Sequence, residues 1–274
     1  MRRATARNRV REAPENPLWN ESPMSNTPAR KAIVTGGTGA IGSEICRQFA
    51  TAGLQVIAIG HPSDVERLPA WREALGGFAD RIDVELGDLA DAASAQAAMQ
   101  AAIARLGGVD VLVNAAGITR DARFAKMSLE QWRAVLASNL DSVFHCCKAV
   151  FEAMCAQQHG RIVNIASVNG QKGQFGQANY SAAKAGMHGF SMALAQEGAR
   201  FGVTVNTVSP GYVRTPMTAA IKPEALAAVL AQVPMGRMAE PSEIARAVRF
   251  LAEDEAGYIT GANLPVNGGL FMSA

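Results

Sequence analysis

Between Lys31 and Gly42 the chain reads KAIVTGGTGAIG: a short apolar run, then a cluster of glycines. Apolar residues at helical spacing follow, as far as Ala52. A strand, a glycine turn and a helix in immediate succession constrain the fold more than any other feature, because the helix has to pack back against the strand it has just left. The pattern then repeats. Strands are predicted over 54–60, 82–86, 109–114, 161–167, 203–210 and 262–269, and helices over 64–75, 90–106, 129–157, 178–201, 223–231 and 241–252. Strands that alternate with helices pair in parallel, and such a sheet is covered on both faces. The expectation is an α/β fold of the Rossmann type. One doubly wound parallel sheet of about seven strands forms a single domain over residues 30–274.

Gly37, Gly39 and Gly42 fit the G-x-G-x-x-G spacing of a dinucleotide-binding turn. Glycine lets a pyrophosphate come close to backbone N–H groups at the positive end of the next helix. No Gly-Lys-Ser/Thr follows, which removes the P-loop alternative.

The segment NGQKGQFGQANYSAAKAG (169–186) loads a loop with Gly, Gln and Asn and then opens a helix. Tyr180 and Lys184 are four apart and share a face of that helix. A nearby ammonium favours a phenolate and lowers the phenol pKa, so this tyrosine is suited to release and regain a proton. Ser167 ends a predicted strand at the carboxyl edge, where open sheets bind ligands, and is placed to donate to an oxygen gaining charge. Carbonyl reduction also needs a hydride, which only a cofactor supplies.

Composition narrows the partners. The formal charge is +2, and Arg2, Arg3, Arg7, Arg9 and Arg11 against Glu12, Glu15 and Glu21 account for all of it. The remainder is neutral, which argues against nucleic acid as a partner. Cys46, Cys146, Cys147 and Cys155 form no CxxC pair and read as reduced cysteines of a cytoplasmic protein. His61, His145, His159 and His188 have no metal-ligand spacing, so no metal site is expected. No segment is long and apolar enough to suggest a membrane span. Residues 1–24 are rich in Pro, Asn and Arg and are expected to be a disordered extension, with Met24 a natural start.

Taken in order, these motifs resemble the short-chain dehydrogenase/reductase family from about residue 30 to 274. Its cofactor turn, Thr-Gly-x-x-x-Gly-x-Gly, is matched by Thr35, Gly36 and Gly42, with Gly39 and Ile41 between them. Ala40 stands at the middle glycine, a departure that adds a methyl close to the cofactor. Asp88 and Leu89 match the adenine-contacting pair, and Asn114, Ala115 and Gly117 the Asn-Asn-Ala-Gly segment, with one Asn replaced. Asn139 matches the asparagine that holds a water linked to Lys184, and Ser167, Tyr180 and Lys184 match the catalytic serine and the Tyr-x-x-x-Lys pair. Pro210, Gly211, Val213 and Thr215 match the segment beside the nicotinamide.

The second strand ends at Gly60 and His61 with no carboxylate before Asp64, while Ser63 and Arg67 are within reach of a 2′-phosphate. This favours NADPH/NADP+, although Asp64 is close enough to swing in and Arg67 reads equally as a surface charge. Within the family the loop is similar to the acetoacetyl-CoA reductases of polyhydroxyalkanoate synthesis. That resemblance implies an acyl-CoA substrate, acetoacetyl-CoA, bordered by Gln174, Phe175, Gln177 and Tyr212, an (R)-3-hydroxyacyl product and a homotetramer. Lys172, Arg120 and Arg123 are all candidates to meet the CoA phosphates. Two rivals stand beside this reading: a 3-oxoacyl-(acyl-carrier-protein) reductase, and a silent NADP(H)-binding regulator on the same fold.

Overall fold

The computed structural model describes residues 29–219 and 223–272. The extension expected over residues 1–24, and the start at Met24, lie outside the described residues. The sheet holds β1 (Lys31–Thr35), β2 (Gln55–Gly60), β3 (Ile82–Leu86), β4 (Val111–Asn114), β5 (Gly160–Ile165), β6 (Val203–Pro210) and β7 (Asn263–Val266). Its order is β3-β2-β1-β4-β5-β6-β7 and every pairing is parallel. The order reverses beside β1, and a crevice opens there at the carboxyl ends of β1 and β4.

The helices are α1 (Ala40–Thr51), α2 (Leu68–Leu75), α3 (Ala92–Leu106), α4 (Leu129–Leu136), α5 (Ser142–Ala156), α6 (Val168–Lys172), α7 (Ala178–Gly198), α8 (Pro216–Ala219), α9 (Pro223–Leu230) and α10 (Pro241–Ala252). Two cores result. Ile45, Phe49, Ile244 and Val248 of α1 and α10 pack on Val34, Val113, Val163 and Val208. Met99, Val150, Met154 and Met187 of α3, α5 and α7 pack on Ile33, Ile57, Leu112 and Ile162. Successive strand residues point to opposite faces, and both faces are covered, so the strands read as continuous apolar runs.

The structure departs from the sequence expectation at three informative places. The helix expected over 64–75 is a 3₁₀ segment (Pro62–Arg67) followed by α2, whose second position is Pro69. Proline lacks the N–H that a continuous helix would need there. The helix expected over 129–157 is interrupted by a π-helical turn (Ala137–Asp141) that carries Asn139. The Asn139 side chain donates to the Val135 carbonyl at 2.8 Å, so it competes with the backbone for the acceptor. The strand expected over 161–167 stops at Ile165, and Ser167 instead caps the short α6, which the sequence pattern did not suggest.

Candidate active site

The glycine turn is built by close packing. Gly36 has φ +62°, and a Cβ there would stand 2.8 Å from the Ala116 backbone. A Cβ on Gly42 would run into the Gly36 carbonyl. Gly39 then caps α1 without a side chain, which leaves the helix N-terminus open to an anion. Across the crevice Thr35 Oγ1 accepts from the N–H groups of Ala115 and Ala116 at 3.2 and 3.3 Å, tying the end of β1 to the segment after β4.

A cavity of about 340 Å³ lies over this turn. Gly36, Gly39, Ala40, Ile41, Gly42, Arg67, Ala115 and Gly117 line it, with Pro210, Gly211, Val213 and Thr215 opposite and Asn139, Ser167, Tyr180 and Lys184 at its far end. A second cavity of about 250 Å³ adjoins it past the end of β2 and is lined by Asp88, Leu89, Thr38, His61, Asp64 and Arg67. Thr38 was not among the residues singled out from sequence, whereas Asp64 was weighed there as the carboxylate able to swing in. Thr38 Oγ1 donates to Asp64 Oδ2 at 2.6 Å, and Arg67 pairs with Asp64 at 2.5 Å. Burial pushes the Asp64 carboxyl up, but the bonds from Thr38, Arg67 and the His61 N–H outweigh it and hold the pKa down. Ser63 lines neither cavity, and its hydroxyl meets His61 Nδ1 at 2.7 Å.

Four other candidates stand apart from the cavity that holds Tyr180. Gln174 and Gln177 sit on the loop between α6 and α7, where Lys172 contacts Gln174 at 3.0 Å and Gln177 donates to Asp121 at 2.9 Å. Phe175 is 79% exposed, with the Arg123 guanidinium 5.8 Å from its ring centre. Tyr212 lines a separate cavity of about 330 Å³ beside Met235 and Asn267, and its phenol is pushed up by burial and by the charge of Asp121. The Asn114 side chain also lies outside the crevice, beneath α5, where it donates to Asn164 and meets Cys147 Sγ at 3.4 Å.

At the reacting end, Ser167 is in extended conformation and its Oγ accepts from the Asn169 N–H at 3.1 Å. Lys184 is buried and its Nζ donates to the Ile165 carbonyl at 2.6 Å. Burial pushes its pKa down from 10.5 to about 7. Burial also pushes the Tyr180 phenol up; a hydrogen bond with Ser167 draws it back, and Asp121 raises it again. This departs from the expectation of a phenol lowered by Lys184. Desolvation disfavours both charged forms, so it keeps Tyr180 a phenol at neutral pH and draws the Lys184 ammonium towards its neutral form. A protonated Tyr180 is the form that carbonyl reduction uses. Asn139 is fully buried; its Nδ2 donates to the carbonyls of Val135 and Ile118, and its Oδ1 has no partner. A Cβ on Gly117 would collide with that Oδ1 and stand 3.7 Å from Lys184 Nζ, so the oxygen and the ammonium converge on one small space.

Among the described residues no three His, Cys, Asp or Glu side chains gather as metal ligands, and no helix is long and apolar enough to cross a membrane. The sequence model described as short chain dehydrogenase matches residues 30–226. An acetoacetyl-CoA reductase of Allochromatium vinosum is 53% identical over 244 residues, covering 89% of this chain and 99% of that protein. One from Cupriavidus necator is 48% identical over 89% of this chain and 98% of its own length. A 3-oxoacyl-(acyl-carrier-protein) reductase of Escherichia coli is 45% identical over 90% of this chain and 99% of its own length.

Proposed function

The chain belongs to the short-chain dehydrogenase family and is an oxidoreductase that works with a nicotinamide cofactor; from that premise we propose that it reduces acetoacetyl-CoA to (R)-3-hydroxybutanoyl-CoA with NADPH, for polyhydroxybutyrate synthesis. One observation carries the reading: Ser167, Tyr180, Lys184 and Asn139 meet the glycine turn in a single cavity. The residues present suit a dinucleotide, since the turn is packed so tightly that a Cβ at Gly36 or Gly42 has no room, and α1 points its uncapped N-terminus into the crevice. When bound, the cofactor supplies the hydride. Ser167 donates to the substrate oxygen as charge develops there. Tyr180, kept as a phenol by burial, gives that oxygen its proton. Lys184, with a pKa of about 7, returns a proton towards Tyr180, and the unpartnered Asn139 Oδ1 is placed to accept from a water that resupplies Lys184 from solvent.

Preference for NADPH is supported by the end of β2, where Gly60 and His61 present no carboxylate and Arg67 reaches both cavities. Asp64 opposes it by holding Arg67. Gln174, Phe175, Gln177 and Tyr212 remain the proposed border of the acyl group, with Arg120, Arg123 and Lys172 as candidates for the CoA phosphates. The family likeness supports a homotetramer and a cytoplasmic location. Reduction of a carrier-protein thioester is the second reading, favoured by the 45% identity to the Escherichia coli enzyme.

The test follows NADPH absorbance with purified protein and acetoacetyl-CoA, against the same thioester on acyl carrier protein. A kcat/KM at least tenfold higher on the CoA thioester is the expected result. The reverse order establishes the second reading, and loss of absorbance with neither substrate overturns both.

A further inference from the structure

A row of polar side chains crosses the sheet near its carboxyl edge, on the face covered by α5 and α7. Asn114 of β4 is in register with Asn164 of β5, and Asn164 with Thr207 of β6. All three are at most 2% exposed, in strands that are otherwise largely apolar. Buried amides are costly unless they are bonded. Here the bonds run from the sheet into α7. Asn114 Nδ2 donates to Asn164 Oδ1 at 2.8 Å, and Asn164 Nδ2 donates to Ser191 Oγ at 2.8 Å. Ser191 Oγ in turn donates to the Met187 carbonyl at 2.7 Å, so the hydroxyl is used both ways.

The spacing links this bond to the chemistry. Lys184 and Ser191 are seven apart on α7 and both reach β5, Lys184 through the Ile165 carbonyl and Ser191 through Asn164. Tyr180 stands one turn beyond Lys184 on the same stripe, roughly 16 Å from Ser191 along the axis. Asn164 lies three residues before Ser167. The Asn164–Ser191 bond therefore ties together the two elements whose far ends carry Ser167 and Tyr180. Apolar contact between a helix and a sheet is non-directional and tolerates sliding, whereas a hydrogen bond weakens steeply with distance and angle.

We propose that Ser191, held by Asn164, is a positioning residue: it sets the height of α7 on the sheet and thereby the place of Tyr180 and Lys184 against Ser167. The proposal rests on Tyr180 as the acid of the proposed reaction, but not on which thioester is reduced.

The test compares Ser191→Ala, Ser191→Thr and Ser191→Cys in the full chain. Three quantities are read: the thermal midpoint, the steady-state kinetics, and the ultraviolet titration of the Tyr180 phenol, isolated by subtracting the same variants in a Tyr180→Phe background. The titration needs no substrate, so it distinguishes failure of this proposal from failure of the substrate assignment. Ser191→Ala is expected to lower kcat on the order of tenfold or more with KM for NADPH within about twofold, as a small misplacement does, and to shift the phenol titration. Ser191→Thr, which keeps the hydroxyl, is expected to restore both. Ser191→Cys, a weaker partner of similar size, is expected to fall between them, and it carries the test if the alanine variant does not fold. A lowered midpoint with kcat and the phenol titration both unchanged would make Ser191 a stability residue only and overturn the proposal.

Discussion

The Nζ of Lys184 stands 5.7 Å from the centre of the Tyr180 ring, one helical turn along α7, with Lys184 buried and Tyr180 partly so. Burial moves the two in opposite directions, the phenol up and the ammonium down. Each change favours the neutral form, and each can be measured.

Tyr180→Phe should leave the cavity intact, since it removes one oxygen. NADPH binding by fluorescence titration is expected to stay within about twofold, while kcat falls by roughly a thousandfold, within the range for loss of a general acid. A variant that retains more than a tenth of the wild-type turnover would remove Tyr180 from the mechanism.

Lys184 gives a pH dependence of stability. Its pKa falls from 10.5 unfolded to about 7 folded, so between those values the unfolded chain binds more protons and stability rises with pH. The penalty is complete below about pH 7 and lifted towards pH 10.5. At neutral pH it is roughly 5 kcal/mol, more than the one hydrogen bond to Ile165 returns. Lys184→Met is therefore expected to raise the thermal midpoint by more than about 5 °C at pH 7, with the gain shrinking as pH approaches 10. A gain that does not change with pH would contradict the buried, shifted lysine.

Gly117→Ala is expected to damage the site through Asn139. The added methyl collides with Asn139 Oδ1, and that amide is held in place by the bonds its Nδ2 donates to the Ile118 and Val135 carbonyls. Stopped-flow or steady-state rates should fall roughly a hundredfold with the circular dichroism spectrum unchanged. Wild-type rates would show that Asn139 has room to move and that the oxygen is not used.

Cofactor preference turns on a competition for Arg67. Asp64 holds it at 2.5 Å, on the surface side of the second cavity. Arg67→Ala is expected to lower kcat/KM for NADPH by on the order of ten- to a hundredfold while NADH changes little, as loss of one charge-assisted phosphate contact would. Asp64→Asn is expected to move the ratio the other way. A ratio indifferent to both substitutions would mean that the end of β2 does not read the 2′-phosphate.

Much of this was readable from local pattern. The apolar runs specify strands buried on both faces, the glycine turn specifies a crevice at the first helix, and the four-residue interval between Tyr180 and Lys184 specifies a shared face. All of these depend on neighbours along the chain, and the residue order alone carries them. The rest depends on which distant segments meet. Nothing near Asn114 states that its amide turns away from the crevice. It does so because β4 pairs with β5 in a register that brings Asn164, fifty residues on, to its side. The break at Asn139 needs the Ile118 carbonyl as a second acceptor, and Asp64 reaches the glycine turn because Thr38 is there to donate. The phenol of Tyr180 rises rather than falls because desolvation, a property of the whole packed interior, outweighs the hydrogen bond with Ser167 that draws it down. Periodicity is local and survives in the linear chain, whereas register, burial and the partner of a buried amide exist only once the sheet has closed.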